Sequence, residues 1–273
     1  MSTESVEARR PSALDAAPRP RAAVTGASSG IGAAFARALA ADGADLVLVA
    51  RDRAALEALA DDLPGQHEVV VADLADTGDL ARVEAVLRER PVGLLVNNAA
   101  TARWGPFLEQ DPEDLTTTIG VNVLATARLA RAVLPAMVEA GHGGVISVSS
   151  PAGERPAPML AAYGSSKAFL DALDTSLRAE LAGSPVTLTT VRPGWIRTAF
   201  HARIGQDVGA IDDDAWATPD EVAREALRRH RRGDTSVRVP RPVARQRLVD
   251  AARARRRRLP DPVKRLVRTL RRH

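Results

Sequence analysis

The sequence predicts an α/β protein: a single doubly wound parallel sheet of about seven strands with helices on both faces. Short runs rich in valine and leucine recur along the chain, nearly continuous in apolar residues, as expected of strands buried on both sides. Helix-like segments separate these runs, and a glycine-rich turn, TGASSGIG at 25–32, follows the first of them. Right-handed crossovers then place the carboxyl ends of the strands at one edge, where such sheets bind ligands.

The strands and helices can be placed in order along the chain. Predicted strands cover 22–26, 45–50, 68–73, 92–97, 144–150, 185–193 and 235–240. Predicted helices cover 31–43, 53–63, 76–89, about 112–140, a segment holding Tyr163 and ending near 182, and 218–232. The alternation predicts one domain over 21–240. We expect a disordered arm at 1–20, which is polar and interrupted by proline, and a basic, helix-capable tail at 241–273.

The composition excludes several classes of protein. The chain has 273 residues and no cysteine, so disulfides and thiolate catalysis are impossible. Its five histidines are scattered without metal-ligand spacing, so we expect no metal. No stretch approaches the roughly 20 apolar residues of a membrane span, and the polar start does not resemble a signal peptide. We therefore expect a soluble, cytoplasmic protein.

Charge is concentrated in the tail. Residues 241–273 carry 13 Arg or Lys against two Asp, which leaves a net charge of −7 for the rest of a chain that totals +4. Four apolar residues after Pro262 recur at i, i+3, i+4 and i+7: Val263, Leu266, Val267 and Leu270. This stripe beside basic faces is typical of a helix on an anionic membrane surface, which would make the protein peripheral to a membrane. Docking on the acidic body or on a neighbouring subunit explains it equally well, whereas nucleic acid is disfavoured because no recognised motif or interleaved aromatic is present.

The glycine-rich turn indicates a phosphate site. Gly26, Gly30 and Gly32 permit a tight turn and close approach of a pyrophosphate, and the helix that follows offers N–H donors. The other predicted contacts in this turn are Ser28, Ser29 and Ile31. Taken alone, the same turn is compatible with a strand–helix connection that binds nothing.

The end of the second strand indicates which dinucleotide binds. An acid at this point would bind a ribose 2′-hydroxyl, but here Ala50 is followed by Arg51. A guanidinium matches a 2′-phosphate in charge and geometry, so NADP (NADPH) is favoured over NAD. Two alternatives stay open: Asp52 could pair with Arg51, or Arg51 could be a solvated residue at a helix start.

The single tyrosine, Tyr163, is followed four residues later by Lys167, one of only two lysines among the 38 Lys and Arg of the chain. The two side chains lie one helical turn apart. An ammonium beside a phenol lowers the pKa of the phenol, which suits a general acid/base near neutral pH. The alternative is a surface lysine next to a packed tyrosine.

With these motifs placed, the chain resembles the short-chain dehydrogenase/reductase family over about residues 21–200, which implies a Rossmann-type fold. The matching motifs are TGASSGIG, Asp73, NNAA (97–100), IGVNVLAT (119–126), SVSS (147–150), YGSSK (163–167) and RPGWIRT (192–198). Ala100 departs from the pattern, since the family usually has glycine there. The activity implied is hydride exchange between a nicotinamide and a carbonyl or alcohol carbon, with Tyr163 moving the proton.

The resemblance also implies roles for individual residues. Ser150 would hold the substrate oxygen, and Asn122 would kink the long helix and anchor a water that leads to Lys167. Asp73 and Leu74 would receive the adenine, and Asn98 and Ala99 the adenosine ribose. The nicotinamide carboxamide would be held after Pro193 and Gly194, by Ile196 and Thr198. Thr198 could equally cap the helix that follows it.

The substrate and the partners are less constrained. Trp104, Phe107, Trp195 and the predicted lid at 199–216 indicate a mainly apolar pocket, hence a hydrophobic ketone or secondary alcohol rather than a sugar. Glu154 and Arg155 are expected to form a solvated charge pair. The alternative function is a catalytically silent regulatory or scaffold protein of the same fold, which would have no need of the intact set at 122, 150, 163 and 167.

The family resemblance further implies a homo-oligomer, either a dimer or a tetramer. Related proteins pair the two long helices, here about 112–140 and 162–182, in a four-helix interface. The apolar residues expected to close this interface are Ala125, Leu129, Leu170 and Leu173.

Overall fold

The computed structural model describes residues 20–239, so the predicted N-terminal arm, except its last residue, and the predicted basic tail lie outside the described residues. The strands are β1 (Arg21–Thr25), β2 (Asp45–Ala50), β3 (His67–Val71), β4 (Leu94–Asn97), β5 (Gly144–Val148), β6 (Thr187–Pro193), β7 (Trp195–Ile196), β8 (Trp216–Ala217) and β9 (Ser236–Val239). Seven of them form one sheet in the order β3-β2-β1-β4-β5-β6-β9, with every pair parallel. The predicted fold class is confirmed.

Helices cover both faces of this sheet, because its strands are apolar on both sides. They are α1 (Gly30–Ala41), α2 (Arg53–Asp62), α3 (Thr77–Glu89), α4 (Pro112–Ile119), α5 (Thr126–Ala140), α6 (Ala161–Glu180), α7 (Phe200–Arg203) and α8 (Pro219–His230). Buried side chains of α1, α2 and α8 pack in one core, and those of α3 and α5 in a second core on the opposite face.

The predicted long helix at 112–140 is one continuous helical segment with an internal irregularity. Between α4 and α5, residues Gly120–Ala125 form a π-helical turn, and Asn122 lies within it. By length and composition alone this segment could cross a membrane, which corrects the expectation that no such stretch exists. Half of its apolar window is buried in the protein, where it packs on the sheet and on α6, as a core helix does.

The surface of the long helices also differs from the expectation for a subunit interface. Three of the four residues expected in the interface, Ala125, Leu129 and Leu170, are each about 1% exposed and belong to the core of this chain, so they are not free to pair with another subunit. The fourth, Leu173, is partly exposed. Large apolar side chains on these helices that do face solvent are Ile119, Leu124, Val138 and Phe169. The helical period explains the error, because the sequence shows an apolar stripe but does not say which side of it meets the sheet.

The strand order places a crevice at the carboxyl ends of the central strands. The chain runs from β1 outward to β3, then crosses back so that β4 lies on the other side of β1. At such a reversal the connections leave in opposite directions and open a ligand site between them. Above it, β7 and β8 form a second, two-stranded parallel sheet, in which Trp195 pairs with Trp216.

Candidate functional site

A cleft of about 780 Å³ occupies this crevice, and most of the predicted site residues line it. Those that line it are Gly26, Ser28, Ser29, Gly30, Ile31, Arg51, Asp73, Leu74, Asn98, Ala99, Ser150, Tyr163, Lys167, Pro193, Gly194, Ile196 and Thr198. Gly32 and Asn122 do not line the cleft themselves. Gly32 packs against Gly26, and Asn122 forms hydrogen bonds with Thr101.

The glycine-rich turn is packed too tightly for side chains. Gly26 and Gly30 have φ angles of +64° and +56°, in the left-handed region that glycine adopts without strain. A Cβ at Gly32 would lie 2.1 Å from the carbonyl oxygen of Gly26 and 2.6 Å from Asn98 Nδ2. This is a cradle of backbone atoms at the amino end of α1, and it fits the pyrophosphate of a dinucleotide.

Asn98 supports this turn through its side chain. Its Nδ2 donates to the carbonyl oxygen of Thr25 at 2.8 Å, and its backbone N–H donates to the Thr25 hydroxyl at 3.0 Å. The N–H of Ala99 donates to the same hydroxyl. The side chain of Asn98 is thus engaged with β1, although the residue lines the cleft where the ribose was predicted to bind.

The adenosine end carries one exposed arginine. Arg51 Nη1 lies 3.7 Å from Asp73 Oδ2, with the two side chains 74% and 43% exposed. Such an ion pair contributes little, so the guanidinium is available to a ligand. Asp52, which could have paired with Arg51, instead caps α2 by accepting the N–H of Ala55 at 3.1 Å.

The proton-transfer residues meet at the carboxyl end of β5. Burial raises the pKa of Tyr163 to about 12, and a hydrogen bond with the Ser150 side chain offsets part of that rise. Burial also lowers the pKa of Lys167 to about 8, while the negative charge of Asp171 acts against that fall. The ammonium donates to the carbonyl oxygen of Val148 at 2.7 Å and lies 5.7 Å from the centre of the tyrosine ring.

This arrangement corrects one expectation. The spacing of the two residues predicts that Lys167 lowers the pKa of Tyr163, but in the structure burial raises this pKa and the phenol is more firmly protonated than in water. Spacing along a helix shows that two side chains are neighbours, whereas the depth at which they are buried depends on the whole fold. At neutral pH the structure therefore presents a phenol that can donate a proton.

Asn122 is buried in the π-helical turn, at 1% exposure. Its Oδ1 accepts the N–H of Thr101, and its Nδ2 donates to the carbonyl oxygen of Thr101 and to the hydroxyl of Ser166. These bonds join the loop after β4 to α6, the helix that carries Tyr163. The predicted water link from Asn122 to Lys167 stays a prediction.

The segment predicted to hold the nicotinamide packs against the glycine-rich turn. A Cβ at Gly30 would lie 3.1 Å from Thr198 Cγ2, so Thr198 packs against the phosphate cradle. Its hydroxyl accepts the N–H of Phe200 at 3.2 Å in a local turn, but the N-cap of α7 is Ala199, so the alternative role of Thr198 as the N-cap is wrong. Thr198 lines the cleft beside Ile196.

Rings line the substrate end of the cleft. The Phe200 ring lies 5.8 Å from that of Tyr163, and His201 lies 5.2 Å from Trp195 and 5.5 Å from Trp216. Trp195 lines the cleft, as do Phe200 and His201 from the segment predicted to be a lid.

The prediction that Trp104 and Phe107 contribute to the apolar pocket is wrong. Trp104 and Phe107 do not line the cleft, and Phe107 is 53% exposed. Their loop is instead joined to the rim through its backbone, because the Trp104 N–H donates to the carbonyl oxygen of Ile204 and the Gly105 N–H to that of Met159.

The structure contains an ion-pair network next to Lys167 that the sequence did not indicate. Glu154 does not pair with Arg155 but with Arg192, at 3.3 Å, and with Arg238 on β9. Arg192 also reaches Asp171 at 3.1 Å, one helical turn after Lys167. The i, i+4 spacing of Lys167 and Asp171 indicates that these two charges are neighbours, whereas the pairing of β6 with β9 that brings Arg238 near could not be read from a local pattern.

Comparison with known proteins gives consistent matches. A family model described as short chain dehydrogenase matches residues 20–209. A solved short-chain dehydrogenase from Sphingobium yanoikuyae in complex with NADPH is 38% identical, with a TM-score of 0.77, and the match covers 86% of this chain and 94% of that one. The bulky-bulky ketone specific alcohol dehydrogenase from Comamonas testosteroni is 31% identical, with a TM-score of 0.74 and coverage of 86% and 92%. The inactive hydroxysteroid dehydrogenase-like protein 1 of Homo sapiens is 32% identical over 66% of this chain and 57% of that protein.

Proposed function

Because the chain belongs to the short-chain dehydrogenase/reductase family, we propose that it is an NADP(H)-dependent oxidoreductase that interconverts a hydrophobic ketone and its secondary alcohol. The observation that carries this proposal is the meeting of Tyr163, Ser150 and Lys167 in one cleft with the glycine cradle. When bound in that cradle, the cofactor supplies or accepts the hydride.

The protein's own residues provide the proton chemistry. A phenol whose pKa is raised to about 12 stays protonated at neutral pH, so Tyr163 is ready to donate its proton to a substrate carbonyl oxygen. The Ser150 hydroxyl, which is hydrogen-bonded to Tyr163, is placed to hold the substrate carbonyl oxygen as negative charge develops on it. The ammonium of Lys167 stabilises the phenolate left after donation. The protonated phenol is the form that reduction of a ketone requires.

The choice of cofactor follows from the adenosine end. The exposed guanidinium of Arg51 has only a 3.7 Å ion pair with Asp73 and lines the cleft, so it can bind a 2′-phosphate. One related solved structure contains NADPH, and another contains 5-hydroxy-NADP. We infer a preference for NADPH over NADH.

The substrate is proposed from the rings at the other end. Trp195 and Phe200 offer apolar surface beside Tyr163, and a relative with the same architecture is named for bulky ketones. The direct test is turnover of a panel of bulky aryl and alkyl ketones with NADPH, and of their alcohols with NADP⁺, followed by nicotinamide absorbance. Absence of turnover with every member, by a protein that binds NADPH, would contradict the proposal.

A second candidate function is a catalytically silent protein that binds the cofactor. The similarity to relatives named inactive favours it. The set of Asn122, Ser150, Tyr163 and Lys167 is complete in this chain, and a silent protein has no need of it. The same ketone panel separates the two functions, since the silent protein would bind NADPH with no turnover.

We propose a homo-oligomer that uses the exposed apolar residues of the long helices. Ile119, Leu124 and Phe169 are 38–45% exposed, and burial against a second copy would remove this apolar surface from water. Light scattering that shows a monomer at micromolar concentration would reject the assembly.

For the tail, which lies outside the described residues, we propose peripheral binding to anionic membranes through the stripe of Val263, Leu266, Val267 and Leu270. The test is sedimentation with anionic vesicles of the full chain and of a chain ending at Pro240. Salt-sensitive binding that is lost on truncation supports the proposal. If neither chain binds and truncation lowers thermal stability, the tail has a structural role instead.

A further inference from the structure

The two ends of the cleft differ in charge. Among the described residues that line it, the acidic side chains are Asp52 and Asp73, and both belong to the adenosine end, after β2 and β3. Besides Lys167 next to Tyr163, the substrate end is lined by three basic side chains, Arg155, His201 and Arg203, and by no acidic residue of the described chain. The substrate end is therefore not purely apolar, because these basic groups line the same cleft as Trp195 and Phe200.

The two arginines differ from their neighbours in having no acidic partner. Arg103 pairs with Asp114 at 2.9 Å, and Arg197 pairs with Asp213 at 2.8 Å. Within residues 20–239, the guanidinium groups of Arg155 and Arg203 form no ion pair, and Glu154, which precedes Arg155, is bound elsewhere. Arg155 and Arg203 are thus two exposed arginines that line one cleft without a counter-ion from the described chain, and guanidinium groups of this kind can bind an anion.

His201 is held beside them in a fixed orientation. Its Nδ1 lies 2.8 Å from Oε1 of Gln206, a side chain that is 7% exposed. A carbonyl oxygen only accepts hydrogen bonds, so Nδ1 carries the proton and Nε2 is left for a ligand. The rings of Trp195 and Trp216 pack against the imidazole and restrict its rotation.

From this arrangement we infer that the substrate is amphipathic: a ketone with an apolar body and a carboxylate that Arg155 and Arg203 bind. The inference rests on the proposed function and narrows its substrate class. The apolar body contacts Trp195 and Phe200, while the carboxylate lies toward the solvent end of the cleft. Arginine suits this role because its planar fork matches the two oxygens of a carboxylate.

The test uses matched pairs of ketones with the full-length protein. The probes are ω-benzoyl carboxylic acids of increasing chain length, such as 5-oxo-5-phenylpentanoate, and their methyl esters, which keep the ketone and remove the charge. We expect kcat/KM with NADPH to be roughly tenfold higher for the best acid than for its ester, the lower range for a hydrogen-bonded charge. Arg155→Gln and Arg203→Gln should each remove most of this preference by raising KM for the acid far more than KM for the ester, and lysine at either position should restore part of it.

The controls separate this inference from the proposed function. Arg103→Gln removes a nearby, paired arginine that does not line the cleft, and it should not change the ratio of kcat/KM for the acid to kcat/KM for the ester. If the wild-type protein reduces esters as well as acids, the inference is wrong while the oxidoreductase function stands. If no ketone is reduced, calorimetric titration of the acid and the ester into the protein with NADP⁺ still decides: tighter binding of the acid that depends on the two arginines supports the inference, and equal affinities overturn it.

Discussion

The nucleotide end of the cleft is formed mainly by backbone atoms, whereas the substrate end is formed mainly by side chains. At the nucleotide end the decisive atoms belong to the backbone: the carbonyl oxygen of Gly26, the first turn of α1 and the N–H groups of Asn98 and Ala99. At the substrate end they belong to side chains, in a ring cluster that brings Trp195 and His201 together with Trp216 from a later segment of the chain. A backbone site demands small residues at fixed positions, so it leaves a local pattern. A side-chain pocket can be formed by many combinations.

The largest effect is expected where the two ends meet. Tyr163→Phe removes the proton donor and keeps the ring that packs against Phe200, so kcat should fall roughly 1,000-fold, within the range for a general acid. The affinity for NADPH should change less than about threefold, because the cradle lies in another segment. Stopped-flow turnover and fluorescence titration of NADPH measure the two quantities. A variant that keeps more than about a tenth of the wild-type kcat would contradict the role of Tyr163.

Features that depend on the backbone could be predicted from the sequence, whereas features that depend on packed side chains could not. The seven parallel strands and the residues of the glycine turn could be placed in advance, because valine-rich runs and closely spaced glycines have few other uses. The pKa of Tyr163 could not be predicted, since it depends on burial by segments far apart in sequence. Trp104 was misplaced for the same reason, because a tryptophan in a loop can turn either toward a pocket or toward its own loop.

The next test addresses the one long side chain on which the nucleotide end depends. Arg51→Ala should reduce the preference for NADPH over NADH by roughly 10- to 150-fold, the range for a charged hydrogen bond to a phosphate. Arg53→Ala is the matched control: this arginine is two residues away and 67% exposed, pairs with Glu57 and does not line the cleft. Equal kcat/KM for both cofactors in the wild-type protein would contradict the assignment of Arg51.

A pair of glycine variants tests whether the nucleotide end is a backbone structure. In Gly32→Ala the new Cβ would lie 2.1 Å from the Gly26 carbonyl oxygen, whereas in Gly120→Ala the nearest atom is 3.5 Å away, an ordinary contact. Overpacking should cost Gly32→Ala about 1–3 kcal/mol of unfolding free energy and lower Tm by roughly 3–10 °C. Gly120→Ala should change Tm by less than about 2 °C. Comparable Tm values for the two variants would show that the turn is not tightly packed.

The smallest effect concerns the charge beneath Tyr163 and is measured in a pH profile. Burial lowers the pKa of Lys167 to about 8, so its ammonium is lost as the pH rises through that value, whereas Tyr163, with a pKa raised to about 12, stays protonated. Ketone reduction needs the tyrosine proton and the positive charge that stabilises the resulting phenolate, so kcat/KM should be constant up to about pH 7 and roughly tenfold lower at pH 9. Lys167→Arg sharpens the test, because a guanidinium stays charged over this range: its activity should be lower at every pH, but the decline above pH 8 should disappear. A decline that persists in this variant would mean that another group titrates, and a flat wild-type profile would mean that the ammonium charge does not contribute to proton transfer.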